Sequence, residues 1–172
     1  MRTARESGFE SDRERRAPVQ LRCSALILRD DSVLVCRRTD QQDVWVLPGG
    51  TPSVGEGTAL ATQREVEEET GLLVDIDRVA FVLETTSSDM SQHLIEIVFV
   101  GQLRIVDAEP RQTELGLLPS FVPLDRIDQV GLRPPIAGYI RGFARYQLPR
   151  TRWLHPGTAA YLGNLWRMFE DE

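Results

Sequence analysis

The apolar positions fall first into short β-prone runs and only near the end of the chain into helical spacing. VQLRCSALIL (19–28) and SVLVCRR (32–38), joined by RDD, predict a hairpin, and DVWVL (43–47) a short third strand. Pro48 then holds Leu47 extended, while Gly49 and Gly50 open backbone angles closed to other residues, so PGG turns the chain. Thr58 to Thr70 are helix formers, with Gly71 placed just past the helix end. LLVDIDRVAFVLET and SQHLIEIVFVGQL read as long strands around the polar loop TSSDM, followed by a short strand in LLPSFVPL and a helical turn in DRIDQV. PPIAGYIRGFARY sets Ile136, Tyr139, Ile140 and Phe143 at helical spacing behind Pro134 and Pro135. GTAAYLGNLWRMF repeats that spacing with Tyr161, Leu162, Leu165, Trp166 and Phe169, and both faces are expected to pack on the sheet or on each other rather than form a partner groove. Mixed strands around a central helix predict a layered α/β sandwich.

The 172 residues suit one domain with extensions. Residues 1–18 are charged, lack the apolar stretch of a secretory signal and read as a disordered tail. No apolar run reaches bilayer length, so no membrane role is expected. Cys23 and Cys36 each sit in an apolar strand, which predicts buried thiols in a reducing, cytoplasmic setting rather than a disulfide. A net charge of −6 argues against binding DNA or anionic lipid through the chain as a whole. Every basic residue is arginine, which excludes a Schiff-base lysine and a phosphate-loop lysine.

The Thr58–Thr70 helix ends in a knot of like charge, Glu65, Glu67, Glu68 and Glu69, with Arg64 beside it. Spacings of three and four bring Glu65, Glu68 and Glu69 to one side, whereas Glu67 points nearly opposite and Val66, Ala59 and Thr62 can face a core. A solvated acidic face is the plain alternative. Two costs oppose it: each like-charge pair destabilises a helix by roughly 0.2–0.5 kcal/mol, and anions in the last turns meet the negative end of the macrodipole at about 0.3–1 kcal/mol each. A divalent cation reverses both signs, and magnesium takes a few carboxylates while filling its remaining shell with water and phosphate oxygens.

Gly50, five residues, Glu56, seven residues, Arg64, Glu65, Val66, one residue, Glu68, Glu69, one residue, Gly71 and Leu72 match every fixed position of the Nudix box. Seven specified identities, each about one in fifteen, coincide by chance in on the order of one window in 10^8. With WVLPGG before the box and FVPLDRI after it, the chain resembles the Nudix hydrolase superfamily from about Val19 to Val130. That resemblance implies a Nudix-type α/β/α sandwich around a mixed β-sheet, with a Nudix core at 19–130 and a C-terminal helical extension at 131–172 packed on it. It also implies a Mg2+-dependent pyrophosphohydrolase, with Mn2+ a possible substitute, acting on a nucleoside triphosphate, a nucleotide sugar or an ADP-ribose type of substrate. The other reading, from a different class, is a catalytically silent nucleotide sensor or interaction module, although such relatives usually have a damaged box or a winged-helix extension. Isomerisation of an isoprenoid diphosphate is a third use of the fold, but neither cysteine has an evident catalytic setting for it. Homodimers are common in the family, so pairing is possible.

By the same resemblance Glu65, Glu68, Glu69 and the Gly50 carbonyl would hold the metal, and Glu68 or Glu69 would take the proton of the attacking water. Arg64 would orient the glutamates and Glu56 would brace the box or reach the metal through water. Glu114 corresponds to the loop glutamate that some relatives use as base, or is an ordinary exposed acid. The downstream markers of the ADP-ribose, dinucleoside polyphosphate and NADH branches are absent, which leaves the branch open. Arg37 and Arg38 either contact phosphate or end a strand in solvent, and Trp45 either stacks on a base or fills the core. His93 heads a strand and reads as structural. Arg150, Arg152, Trp153 and His155 form either a phosphate and base surface or a loop pinned by one tryptophan. With no acid between Arg133 and Phe169, the chain is polarised between an acidic cleft and a basic extension suited to a polyanion, and neutralising Arg150 and Arg152 would raise KM more than it lowers kcat.

Overall fold

The structure is a computed structural model that describes residues 18–87, 91–147 and 160–164. The element order is β1 (Gln20–Arg29), β2 (Ser32–Arg38), β3 (Trp45–Val46), β4 (Gly49–Gly50), α1 (Thr58–Thr70), β5 (Val74–Thr86), β6 (His93–Leu103), β7 (Leu117–Pro123), a 3-10 turn (Ile127–Gln129), α2 (Ala137–Gln147) and β8 (Ala160–Asn164).

The strands form one mixed sheet in the order β3-β2-β1-β6-β5-β8, with β7 beside β2 and the two-residue β4 laid against β1. β1 runs parallel to β6, Gln20 opposite Leu94 through Ile27 opposite Gly101, while β5 pairs antiparallel with β6. Two register shifts in β5, around Val79, move its inward residues from one face of the sheet to the other. Ile76, before the shifts, packs with the helix α1 side, and Phe81 and Leu83, after them, lie in the opposite core.

Alternation along the strands builds two cores. Ala25, Ile27 and Leu34 pack with Val66 of α1, Leu72 and Val74; Leu26, Val33 and Val35 pack with Val98, Ile136 and Ile140, the last from α2. Phe143 of α2 meets Phe81 edge to face at 5.5 Å. One helix covers each face of the sheet, and the chain is an α/β/α sandwich around a mixed β-sheet. Among the described residues no helix is long and apolar enough to cross a membrane.

The helix at 58–70 has the expected limits: Gly71 is left-handed at φ 68° and donates its N–H to the Glu67 carbonyl at 2.9 Å. The helical reading of 157–169 is corrected within its described part, because residues 160–164 form strand β8, parallel to β5 with Ala160 opposite Phe81. An open edge of β5 offers a row of backbone partners, and Gly163 gives a helix there little support. The PGG turn also does more than turn, since Gly49 and Gly50 pair with Ser24 and Cys23, and the Ala25 N–H donates to the Pro48 carbonyl at 2.9 Å. The tail at 1–17 and the cluster Arg150, Arg152, Trp153 and His155 lie outside the described residues.

Candidate functional site

The strap Leu47–Gly50 pairs antiparallel beside β1 and lies between two features: the acids of α1 on one side and an arginine-lined cavity on the other. Both depend on side chains that the strap itself holds.

On the helix side, Arg64 is the hub. Its Nε and Nη2 donate to the two oxygens of Glu56 at 2.9 and 3.0 Å, and its Nη1 donates to Glu65 Oε1 at 2.8 Å and Glu68 Oε2 at 2.9 Å. Hydrogen bonds from Arg64 and from the Ser53 amide hold the Glu56 carboxyl down at about 2, and the same carboxylates raise the Arg64 guanidinium above its usual range. Gly50 leaves room for Glu65, since a Cβ at that position would overlap the Glu65 carboxylate and displace it.

Glu69 departs from the acidic-face picture. It is 5% exposed, and its Oε2 accepts from the Gly49 amide at 2.9 Å, with the Cys36 thiol 4.0 Å away. Burial pushes its pKa up to about 7 against the pull of that amide and of Arg22, with Glu114 and Glu65 adding to the rise. Burial and then Glu69 push the Cys36 thiol upward, and burial with Glu96 takes Cys23 to about 11, so the two free cysteines are buried and inert. The side chains of Glu65 and Glu68 are 16% and 54% exposed, so the trio grades from core to solvent rather than forming one solvated stripe.

The donor set suits a hard cation. Three carboxylates, Glu56, Glu65 and Glu68, share the one arginine Arg64, while Glu69 accepts from the Gly49 amide through Oε2, and its Oε1 has no partner among the described residues. No three acidic side chains among the described residues are already drawn together around one point, because Arg64 spans Glu65 and Glu68 while Glu69 turns to the strap.

A loop closes the far end of α1. Thr113 Oγ1 donates to the Glu68 carbonyl at 2.6 Å and the Arg111 N–H to the Thr70 carbonyl at 3.0 Å, which satisfies two carbonyls that a helix C-terminus leaves open. Glu114 follows directly, exposed and near enough to raise Glu69.

On the other side of the strap lies a cavity of about 420 Å3, lined in part by Arg22, Arg38, Thr85, Glu96, Arg133 and Pro134. Arg38 forks onto Asp40 at 3.0 and 2.8 Å, and Arg37 is exposed. Trp45 is partly buried against the α2-side core, with its indole N–H on Asp43 Oδ1 at 3.2 Å. His93 bonds Glu84 at 2.8 Å across β5 and β6, away from the acids. The sequence reading missed Arg22, Ser24 and Glu96. Glu96 is 4% exposed in the middle of an apolar strand, and a lone acid at an inward position of HLIEIVFV was the available signal.

A NUDIX domain model matches residues 19–143, which reaches past the expected core into α2. The chain is 32% identical over 105 residues to an ADP-ribose pyrophosphatase of Methanocaldococcus jannaschii, covering 56% of this chain and 62% of that protein. It is 33% identical over 64 residues to a MutT-like protein of Streptomyces ambofaciens, covering 37% of this chain and 42% of that one, so it spans less than two thirds of either relative. Among solved structures, the MutT protein of Methanosarcina mazei Go1 superposes with a TM-score of 0.62 at 26% identity, over 75% of this chain and 95% of that one.

Proposed function

The chain belongs to the Nudix family, and on that premise we propose that it is a magnesium-dependent pyrophosphohydrolase cleaving a nucleoside diphosphate linked to another moiety. The observation that carries this reading is the strap: Gly49 and Gly50 bind Glu69 and make room for Glu65 on one face, while Leu47 accepts from Arg22 of the cavity. Acids for a cation and an arginine-bearing, largely apolar cavity for a nucleotide thus share one wall.

Glu65, Glu68, Glu69 and the Gly50 carbonyl would hold Mg2+, with Mn2+ a substitute, and Arg64 and Glu56 keep these acids oriented. When bound, the metal supplies charge neutralisation for the pyrophosphate and for the anionic nucleophile. Glu68 or Glu69 accepts the proton of the attacking water; the oxygen bonds to phosphorus, the anhydride P–O bond breaks, and the leaving phosphate keeps the bridging oxygen. Glu114, held at the end of α1 by its neighbour Thr113, is a third candidate for that proton. The cavity takes the nucleoside, and Arg38 of its lining faces the phosphates. The name of the archaeal relative adds weight to an ADP-linked substrate within the wider set of nucleoside triphosphates and nucleotide sugars.

Phosphate or pyrophosphate release with Mg2+ from nucleoside triphosphates, nucleotide sugars, ADP-ribose, dinucleoside polyphosphates and coenzymes tests this. At least one should be cleaved, with a loss on the order of 10^2–10^4-fold in Glu68→Gln or Glu69→Gln. No turnover of any of them refutes the reading, and tight binding without turnover would instead assign a nucleotide sensor.

A further inference from the structure

The strongest feature outside the acidic helix is a buried acid on the cavity floor. β1 and β6 run parallel with Arg22 opposite Glu96 and Ser24 opposite Val98, which brings Arg22, Ser24 and Glu96 to one face of the sheet. Ser24 Oγ donates to Glu96 Oε1 at 2.6 Å, and Arg22 Nε lies 3.5 Å from that same oxygen. All the protein contacts therefore fall on one oxygen. Glu96 Oε2 has no partner among the described residues, and no buried side-chain oxygen or nitrogen among them is left unbonded, so this atom opens into the cavity. Arg22 is anchored through Nη2 to the Leu47 carbonyl at 3.2 Å, which leaves Nη1 as a further donor on the same cavity lining.

We propose that Glu96 and Arg22 read the base of the nucleotide, selecting the edge of adenine or cytosine, where an amino group lies beside a ring-nitrogen acceptor. This rests on the cavity receiving the nucleoside, and it adds the class of base. Glu96 Oε2 accepts from the amino group and Arg22 donates to the ring nitrogen. Hypoxanthine and uracil put a carbonyl oxygen where the amino group would be, and that oxygen would face Glu96 with no proton between them. A buried acceptor left without its donor is the case in which a polar site discriminates most strongly.

Calorimetric titration with nucleoside monophosphates tests this, since they have no anhydride to cleave and differ in pairs by the edge alone. AMP should bind about ten-fold or more tighter than IMP, and CMP tighter than UMP by the same factor. Glu96→Gln keeps an oxygen for Ser24 and turns an NH2 donor into the cavity, so both preferences should vanish or invert. A preference below about five-fold in the wild type, no binding by any of the four, or an unchanged preference in Glu96→Gln each overturns the assignment. Should Glu96→Gln not fold, the two wild-type ratios decide. Base preference without cleavage of any diphosphate substrate would leave this inference standing and remove the hydrolase reading; cleavage without base preference would do the reverse.

Discussion

Arg64 grips Glu56 with two parallel hydrogen bonds, Nε to Oε1 at 2.9 Å and Nη2 to Oε2 at 3.0 Å, and thereby ties the loop before α1 to the middle of that helix. The third nitrogen of the same fork holds Glu65 and Glu68. A lysine could not do both, because it offers a single charged nitrogen rather than a planar fork.

The Glu56 carboxyl, held at about 2 by Arg64 and the Ser53 amide, gives a pH prediction. Its folded pKa is depressed, so its contribution is full above the ordinary carboxylate value and is lost as pH falls toward about 2. In chelator, wild type should resist urea better than Glu56→Gln at pH 7, and the two midpoints should converge near the acid end of that window. A constant gap across the titration would show that the pair acts by packing and not by charge.

Glu69 gives the opposite sign. Burial raises its pKa to about 7, so without metal it lowers stability as pH climbs from the usual carboxylate range through about 7. Metal-free Glu69→Gln should therefore gain on wild type between pH 5 and pH 8, by on the order of 1–3 kcal/mol. Adding Mg2+ at pH 8 should raise the Tm of wild type and leave that of the variant nearly unmoved. Equal responses of the two proteins to the metal would take Glu69 out of the cation site.

Gly50→Ala places a methyl group where the Glu65 carboxylate lies. The expected result is a shift of Glu65 away from the strap, with a fall in kcat and a weaker Mg2+ response, read by steady-state kinetics over a metal titration. Gly57→Ala, where a Cβ would meet nothing within 4 Å and φ is −68°, is the control for backbone effects. Loss of activity in both variants alike would trace the effect to the chain conformation of the loop instead.

Thr113 holds the Glu114 loop on α1 through its bond to the Glu68 carbonyl. If Glu114 takes the proton, Glu114→Gln should lower kcat on the order of 10^2-fold with KM little changed, and Thr113→Val should lower kcat in the same way but less, with Thr113→Ser restoring it. Full activity of Glu114→Gln would leave Glu68 and Glu69 as the candidates.

The primary structure alone determined the features that depend on near neighbours. The limits of α1 follow from a run of helix formers closed by Gly71, and the grouping of Glu65, Glu68 and Glu69 follows from the helical turn. The strands at 20–29 and 32–38 follow from β-prone runs joined by a short polar turn. Long-range pairing decided the rest. Glu69 is held in the interior because the strap from Leu47 to Gly50 pairs beside β1 and donates to it, and residues 160–164 became a strand because β5 offers an edge. Arg22 and Ser24 met Glu96 only because β1 and β6 lie parallel, bringing together groups more than 70 positions apart. Local periodicity carries no information about such contacts, since which strand neighbours which is settled by burying both faces of the sheet at once.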